Sequence, residues 1–304
     1  MIDLSLDLCG VHLKNPVIAA SGTFGFGREY DQLYDISKLG GISVKGLTLK
    51  KRLGNPPHRI AETPGGMLNS VGLQNPGVDA FIEEDLPWLL QKDVAVIANM
   101  AGNTEEEYCL MAEKLSAAGV HMLEMNISCP NVKEGGVAFG IRPESVYAIT
   151  KAVRAHAKKP LMVKLSPNVA DIRENARAAE EGGADCISLI NTLTGISVDA
   201  RTRRMTLYNN VGGMSGPAVR PIALRMVWQA AQAVKIPVVG MGGIVTGEDA
   251  ASFMLVGAQA VMVGTANLMD AYACPRIIGE LEAYCEGQGV KNVQELVGTI
   301  QTNG

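Results

Sequence analysis

Aromatic residues are scarce, 5% of 304 positions, and only two are tryptophan. Histidine occurs four times, at 12, 58, 121 and 156, with no spacing that would hold a metal, so these are read as structural. The six cysteines, at 9, 109, 129, 186, 274 and 285, form no C-x-x-C pair. That excludes a zinc or iron–sulfur site written into this chain. Scattered single thiols suit a reducing compartment, and the expectation is a cytoplasmic protein. No apolar run approaches the ~20 residues of a membrane span. The opening stretch MIDLSLDLCGVHLKNP alternates and contains acids, unlike a secretion signal. An excess of one charge is missing too. The 27 basic and 31 acidic residues give a net charge of −4, which argues against a nucleic-acid surface.

What the chain does have is apolar content, 47%, enough for a large core. It is distributed as short runs alternating with helical patterns. The runs are Val17–Ser21, Ile42–Leu49, Val94–Met100, Met122–Ser128, Leu161–Leu165, Cys186–Asn191, Val238–Gly242 and Ala260–Gly264. Most are apolar on both faces, as buried parallel strands are. Between them, Thr104 and Glu107 form a capping-box pattern ahead of a helix, and Thr246 and Asp249 open another that stops at Gly257. AAGVHMLEMN, EGGADCISLI and VGAQAVMVGT repeat one plan of helix end, glycine and apolar strand. Their glycines, 119, 183 and 257, lie 64 and 74 residues apart. Each gap fits two βα units of a barrel with ~250 residues in eight units. No linker divides the chain. The fold expected is α/β, a (β/α)8 barrel forming one domain over 1–304, with a small hairpin at residues 4–13 plugging its bottom. Three connections are long, 50–77, 129–142 and 193–217, and in this fold they lie on the C-terminal face, where chemistry occurs.

The strand ends carry polar groups at one level. Ser21 ends the first run, Lys45 sits in the second, Asn99 ends the third and Asn126 the fourth. Lys164 is in the fifth, and Asn191 and Thr192 end the sixth. A buried lysine is costly unless an anion or hydrogen bonds compensate it, so two such lysines imply anionic ligand groups nearby. The competing reading is a lysine satisfied by a core carboxylate, and Glu124 is the one acid in these runs. Gly242-Gly243 and Gly264-Thr265 close the last two strands, where this fold usually binds phosphate. Asn69, Asn126, Asn131 and Asn191 offer paired donors and acceptors suited to a flat heterocycle. Cys129 follows a strand within NISCPN, beside a glycine-rich loop, and that composition is unlike a core. Cys109, Cys186 and Cys274 suit the core better.

Together ASGTFGFGREY (20–30), VKGLT (44–48), GMLNSVGLQNPG (66–77), NISCPNVKEGG (126–136), VKLSPN (163–168), INTLTG (190–195) and GMGGI (240–244) resemble the class 1 dihydroorotate dehydrogenases. The match runs over nearly the whole chain in order. GLQNPG, INTLTG and GGMSGPA (212–218) are similar to the type 1B subgroup. The resemblance implies an enzyme of pyrimidine biosynthesis that oxidises dihydroorotate to orotate with FMN. It implies FMN contacts at Ser21, Lys45, Gly46, Asn99, Asn126, Lys164, Ile190, Gly216, Gly242, Gly243, Gly264 and Thr265. Substrate contacts would be Lys45, Asn69, Ser70, Val71, Gly72, Leu73, Asn126, Asn191 and Thr192. Cys129 would be the base that takes the substrate C5 proton while C6 hydride leaves. Lys164 would stabilise negative charge gained by the flavin. It also implies a dimer of this chain, joined by an electron-transfer subunit that carries FAD and an iron–sulfur cluster and delivers electrons to NAD+.

Four alternatives stay open at this point. A dihydropyrimidine dehydrogenase-like enzyme shares the barrel and a cysteine base, but often adds cysteine-rich segments that this chain lacks. A type 1A enzyme would use fumarate without a partner. A flavin-free barrel isomerase or synthase would use the same phosphate loops. A scaffold subunit would have no use for buried lysines at strand ends.

Overall fold

The computed structural model describes residues 2–128 and 136–303. Chain order gives sixteen strands among them: β1 (Leu6–Leu8), β2 (Val11–Leu13), β3 (Val17–Ala19), β4 (Gly41–Ser43), β5 (Ile60–Thr63), β6 (Gly66–Asn69), β7 (Ala95–Met100), β8 (Met122–Asn126), β9 (Leu161–Lys164), β10 (Cys186–Leu189), β11 (Leu193–Ile196), β12 (Val198–Asp199), β13 (Arg204–Met205), β14 (Val211–Ser215), β15 (Val238–Met241) and β16 (Ala260–Val263). Eight close a parallel barrel in the order β3-β4-β7-β8-β9-β10-β15-β16 and back to β3. Helices between successive strands surround it, which is the (β/α)8 architecture expected.

Alternation along each strand sorts the side chains into two cores. On β8, Leu123 and Met125 join the outer layer under the helices, while Met122 faces inward. Ile18, Ile97, Met162, Cys186, Val239 and Met262 fill the inside in the same way. Inside this bottom half sits the β1–β2 hairpin, whose Leu6, Leu8 and Leu13 are buried with those residues. The plug expected at residues 4–13 is therefore present.

Helix ends follow the sequence signals. Gly119, Gly183 and Gly257 have φ of +91°, +96° and +115°, a conformation that side-chain-bearing residues resist, and each turns the chain from a helix into the next strand. Thr246 and Asp249 make a complete capping box. At Thr104 only half of one forms. Its hydroxyl accepts from Glu107 N–H, but the Glu107 carboxylate reaches past it to Asn103 N–H at 2.6 Å.

One strand was expected too long. The run Ile42–Leu49 pairs regularly only over Gly41–Ser43. Val44 N–H still reaches Ile97 O, and Leu47 N–H reaches Asn99 O, but the chain between them swings toward the barrel mouth. Lys45 is thus in a loop just past the strand, its N–H donating to Gly25 O.

Two of the long connections build a structure of their own. Residues 50–77 supply β5 and β6, and 193–217 supply β11 and β14; the four form an antiparallel sheet in the order β11-β14-β6-β5. Register places Asn69 against Gly213, and glycines make the fit possible: a Cβ on Gly213 would lie 2.0 Å from Thr192 Oγ1. The first half of the third connection, residues 129–135 including Cys129, lies outside the described residues.

Candidate active site

A cavity opens at the C-terminal ends of the barrel strands, and the antiparallel sheet contributes Ile60, Met67, Asn69 and Met214 to its wall. Ser21, Lys45, Gly46, Asn99, Asn126, Lys164, Ile190, Gly216, Gly242, Gly243, Gly264 and Thr265 all line it. So do Asn69, Val71, Gly72, Leu73, Asn191 and Thr192. Residues from every barrel strand end therefore converge on one space. Ser70 does not line it. It is fully buried behind the wall, its N–H bonded to Arg59 O and its carbonyl accepting from Asn55 Nδ2.

The floor is polar and buried. Asn99 is inaccessible to solvent, and Lys164 is 5% exposed. Lys164 Nζ lies 3.9 Å from Glu124 Oε1, so part of its charge is met from within the chain. Compensation by a core carboxylate is real here, although the lysine also faces the cavity. Glu124 is 0% exposed and accepts from Ser43 Oγ at 2.5 Å, Asn99 Nδ2 at 2.6 Å and Ser188 Oγ at 2.9 Å. That cluster went unread as a cluster in the sequence. The available signal was a lone acid in an otherwise apolar strand.

One wall is a network of amides. Asn191 Nδ2 donates to Ser128 Oγ at 2.6 Å and to Asn126 Oδ1 at 3.3 Å. Ser128 in turn donates to Asn126 Oδ1 through both its N–H and its hydroxyl. Tyr108 OH fixes the Asn126 carbonyl at 2.7 Å. These bonds pin the residue immediately before Cys129. Past the segment 129–135, Asn175 Nδ2 holds Gly140 O at 2.9 Å, and a Cβ on Gly140 would fall 2.2 Å from Ile127 O. Ser128 and Gly140, on either side of that segment, are thus each held by hydrogen bonds.

The opposite wall is bare backbone. Gly242 and Gly243 have φ of +129° and +77°, and a Cβ on Gly243 would lie 2.8 Å from Gly216 O. Only glycine lets these segments pack together while leaving peptide groups open to a ligand. Thr265 Oγ1 donates to Ser215 Oγ, 2.8 Å away, which ties the last strand end to β14.

The arrangement offers three chemistries to one ligand. Asn99 Oδ1 is a buried acceptor with no partner, which calls for an N–H or O–H donor from the ligand. Lys164 offers a cation to an electron-rich edge. The glycine wall suits an anionic tail such as a phosphate. A Cβ on Gly46 would come 2.9 Å from Asn99 Oδ1, so the ligand also meets side-chain-free backbone there.

Cys186, Cys274 and Cys285 are buried in the core, whereas Cys9 and Cys109 are half-buried. Burial pushes the Cys274 thiol up to about 12, and Cys186 is also pushed well up, by its contact with Cys9 and by burial. His121 accepts Val96 N–H through Nδ1, and His156 pairs with Glu113 on the surface. No helix among the described residues is long and apolar enough to cross a membrane.

Comparison with known proteins adds identity to this geometry. Residues 3–285 match the family model described as dihydroorotate dehydrogenase. The chain is 54% identical over 302 residues to the dihydroorotate dehydrogenase B (NAD(+)), catalytic subunit, of Geobacillus kaustophilus, covering 99% of this chain and 96% of that one. It is 54% identical over 301 residues to the protein of the same name from Geotalea uraniireducens, covering 99% of both. Among solved structures, the DHODH of Eimeria tenella in complex with ferulenol aligns with a TM-score of 0.83 at 22% identity, over 98% of this chain and 88% of that one, and so shares the fold. With these matches spanning nearly its full length, the chain belongs to the dihydroorotate dehydrogenase family.

Proposed function

We propose that this chain is the catalytic subunit of an NAD+-linked dihydroorotate dehydrogenase, oxidising (S)-dihydroorotate to orotate in pyrimidine biosynthesis. One observation carries the site assignment: Asn69, Asn126, Lys164 and Asn191, from separate elements, share one cavity with the glycine wall of 242–243. FMN, when bound, supplies the hydride acceptor for the substrate C6 hydrogen. Gly242, Gly243, Gly264 and Thr265 would hold its phosphate, with Gly216 a further flavin contact. Asn99, with its unpartnered acceptor, and Lys164 would hold its ring system.

The chain's own side chains do the rest. Lys45 meets the substrate carboxylate, and the amides of Asn69, Asn126 and Asn191 read the pyrimidine edge, each able to donate and accept. The segment 69–73 closes one side of the substrate. Cys129 Sγ removes the C5 proton, for which the thiol must first lose its own. The network through Asn126, Ser128 and Asn191 supports this reading up to Ser128, the residue before that cysteine. The barrel works as one domain.

The relatives' name, catalytic subunit, implies a separate electron-transfer subunit. FAD and an iron–sulfur cluster would reside there, and the barrel would pair with itself. The scattered free thiols fit the cytoplasm.

Anaerobic addition of dihydroorotate to the purified, FMN-loaded chain tests the reading. The flavin absorbance should bleach with one orotate formed per flavin. The isolated chain should reduce dyes but reduce NAD+ only when a partner subunit is added. A flavin left oxidised overturns the activity; strong fumarate reduction without a partner overturns the NAD+ linkage.

A further inference from the structure

Glu124 sits one layer below the cavity floor, at the centre of the barrel. Five consecutive barrel strands each send one polar side chain to this point: Ser43 from β4, Asn99 from β7, Glu124 from β8, Lys164 from β9 and Ser188 from β10. Directly beneath them the barrel is filled by methionine and aliphatic side chains. A fully buried carboxylate in that setting carries a large desolvation cost, and well-packed apolar residues often replace buried ion pairs without loss of stability. Stability alone therefore gives little reason for an acid here.

The geometry shows two things the acid does. First, it takes the Asn99 Nδ2 donor at 2.6 Å, and the Asn99 Oδ1 acceptor is left without a partner. An unconstrained amide could present either end; this one is set to accept. Second, its Oε1 lies 3.9 Å from Lys164 Nζ, beyond hydrogen-bond range. The carboxylate thus offsets the lysine's charge through space while leaving the ammonium donors for the ligand.

We infer that Glu124 is a positioning residue that orients Asn99 as an acceptor and holds down the affinity of the bound flavin for electrons by offsetting the charge of Lys164. This rests on the reading of the cavity as an FMN site. Reduction adds negative charge to the ligand above Lys164. A second negative charge fixed beneath that lysine opposes it, and low-dielectric surroundings strengthen the effect. Ser188 has a related role of opposite sign. Its hydroxyl donates to the same Oε1 and so softens the carboxylate's field toward Lys164.

The test compares E124Q and S188A with the FMN-loaded wild-type chain. The midpoint potential is measured against a reference dye, and FMN affinity by fluorescence titration of apoprotein. E124Q should shift the two-electron equilibrium toward reduced FMN at least tenfold, about 30 mV. It should hold FMN nearly as well as the wild type, because the Gln carbonyl can still accept from Asn99 Nδ2 while its amide nitrogen donates to Ser188 Oγ; E124L, which leaves Asn99 no acceptor, should weaken FMN binding. S188A should shift the equilibrium two- to threefold the other way. A purely structural role predicts loss of stability without shifts of opposite sign. Wild-type potentials in both E124Q and S188A, or shifts of the same sign, overturn the inference. If E124Q does not hold flavin, S188A decides alone: an unchanged potential overturns it. A wild-type chain that binds no FMN, or whose FMN dihydroorotate does not bleach, overturns the underlying site reading instead.

Discussion

The two ends of the barrel are built from the same eight strands yet follow opposite rules. At the bottom, inward positions are Ile18, Ala95, Met122, Met162, Cys186 and Ala260, sealed by the leucines of the β1–β2 hairpin. Two or four residues further along β7, β8, β9 and β10, inward positions become Asn99, Glu124, Lys164 and Ser188, joined by Ser43 from β4. Strand geometry is indifferent to this change; only side-chain chemistry differs. The bottom supplies apolar burial, about 25 cal/mol per Å². The top carries desolvation costs that repay themselves only when a ligand completes its hydrogen bonds. Substitutions at the top should therefore change chemistry, and those at the bottom should change stability.

The sharpest break of that contrast is at Cys129. Cys129→Ala should keep FMN and fold normally but slow flavin reduction by dihydroorotate ~10²–10⁴-fold, the usual contribution of a positioned base. Stopped-flow absorbance measures it. Cys129→Ser should retain some activity that rises with pH, because the hydroxyl is harder to deprotonate. Reduction of Cys129→Ala at the wild-type rate removes this residue from the chemistry.

Lys164→Ala should come next. It removes the cation at the floor and leaves Glu124 buried without its charge partner, a loss of about 3–5 kcal/mol for comparable buried pairs. FMN occupancy should collapse, or the potential should fall. The double variant K164A/E124Q should recover part of the occupancy, since it removes both charges. A double variant no better than the single one would show that the two residues are not energetically coupled.

Leu8→Ala probes the bottom. Leu8 is fully buried in the inner core, and such truncations cost about 2–5 kcal/mol. Denaturant unfolding should show that loss, while the flavin potential and bleaching rate stay as in the wild type below the unfolding range. A slowed chemical step in a folded Leu8→Ala protein would mean that the hairpin shapes the mouth from below.

This division also explains what the sequence could reveal. The eight barrel strands were legible because they are buried on both faces and read as unbroken apolar runs. Ile42–Leu49 misled for the same reason: Val44 and Leu47 are fully buried, yet they belong to the turn that carries Lys45 to the mouth. The antiparallel sheet was not legible. Its pairing joins segments some 140 residues apart through GMLN and VGGMS, whose glycines carry little strand signal. At the site, the polar strand-end residues such as Lys45, Asn99, Lys164 and Asn191 were legible from their position and chemistry. Gly46, Ile190, Gly216 and the segment 70–73 came only through the family pattern, and of these Ser70 does not line the cavity. Glu124 was visible as an acid in a strand, but its partners Ser43 and Ser188 look like ordinary strand residues until the barrel closes.

The smallest expected effect separates the cysteines themselves. Cys9 lies on the bottom hairpin, half-buried, and donates to Asp185 O at 3.2 Å. A hydrogen bond from Cys186 favours its thiolate and holds its pKa below the ordinary thiol value, outweighing burial and the charges of Asp185 and Asp7. Cys109, similarly half-buried, is pushed up by burial and by Glu105, Glu113 and Glu106. Cys274 is buried and pushed up to about 12. Alkylation follows the thiolate fraction and access. Iodoacetamide at pH 8 should therefore label Cys9 several-fold faster than Cys109, with Cys274 protected until unfolding, as read by peptide mass spectrometry. Cys129→Ala is the suitable background, because it removes the base from competition while still holding flavin. The same shift has a stability consequence. Because the folded-state pKa of Cys274 is raised, its contribution is intact below the unfolded thiol value near 8.5 and declines as pH rises toward 12. Labelling at Cys9 should lower the melting temperature and leave FMN occupancy unchanged. Loss of flavin on Cys9 labelling, with the barrel still folded, would show that the two ends are not independent.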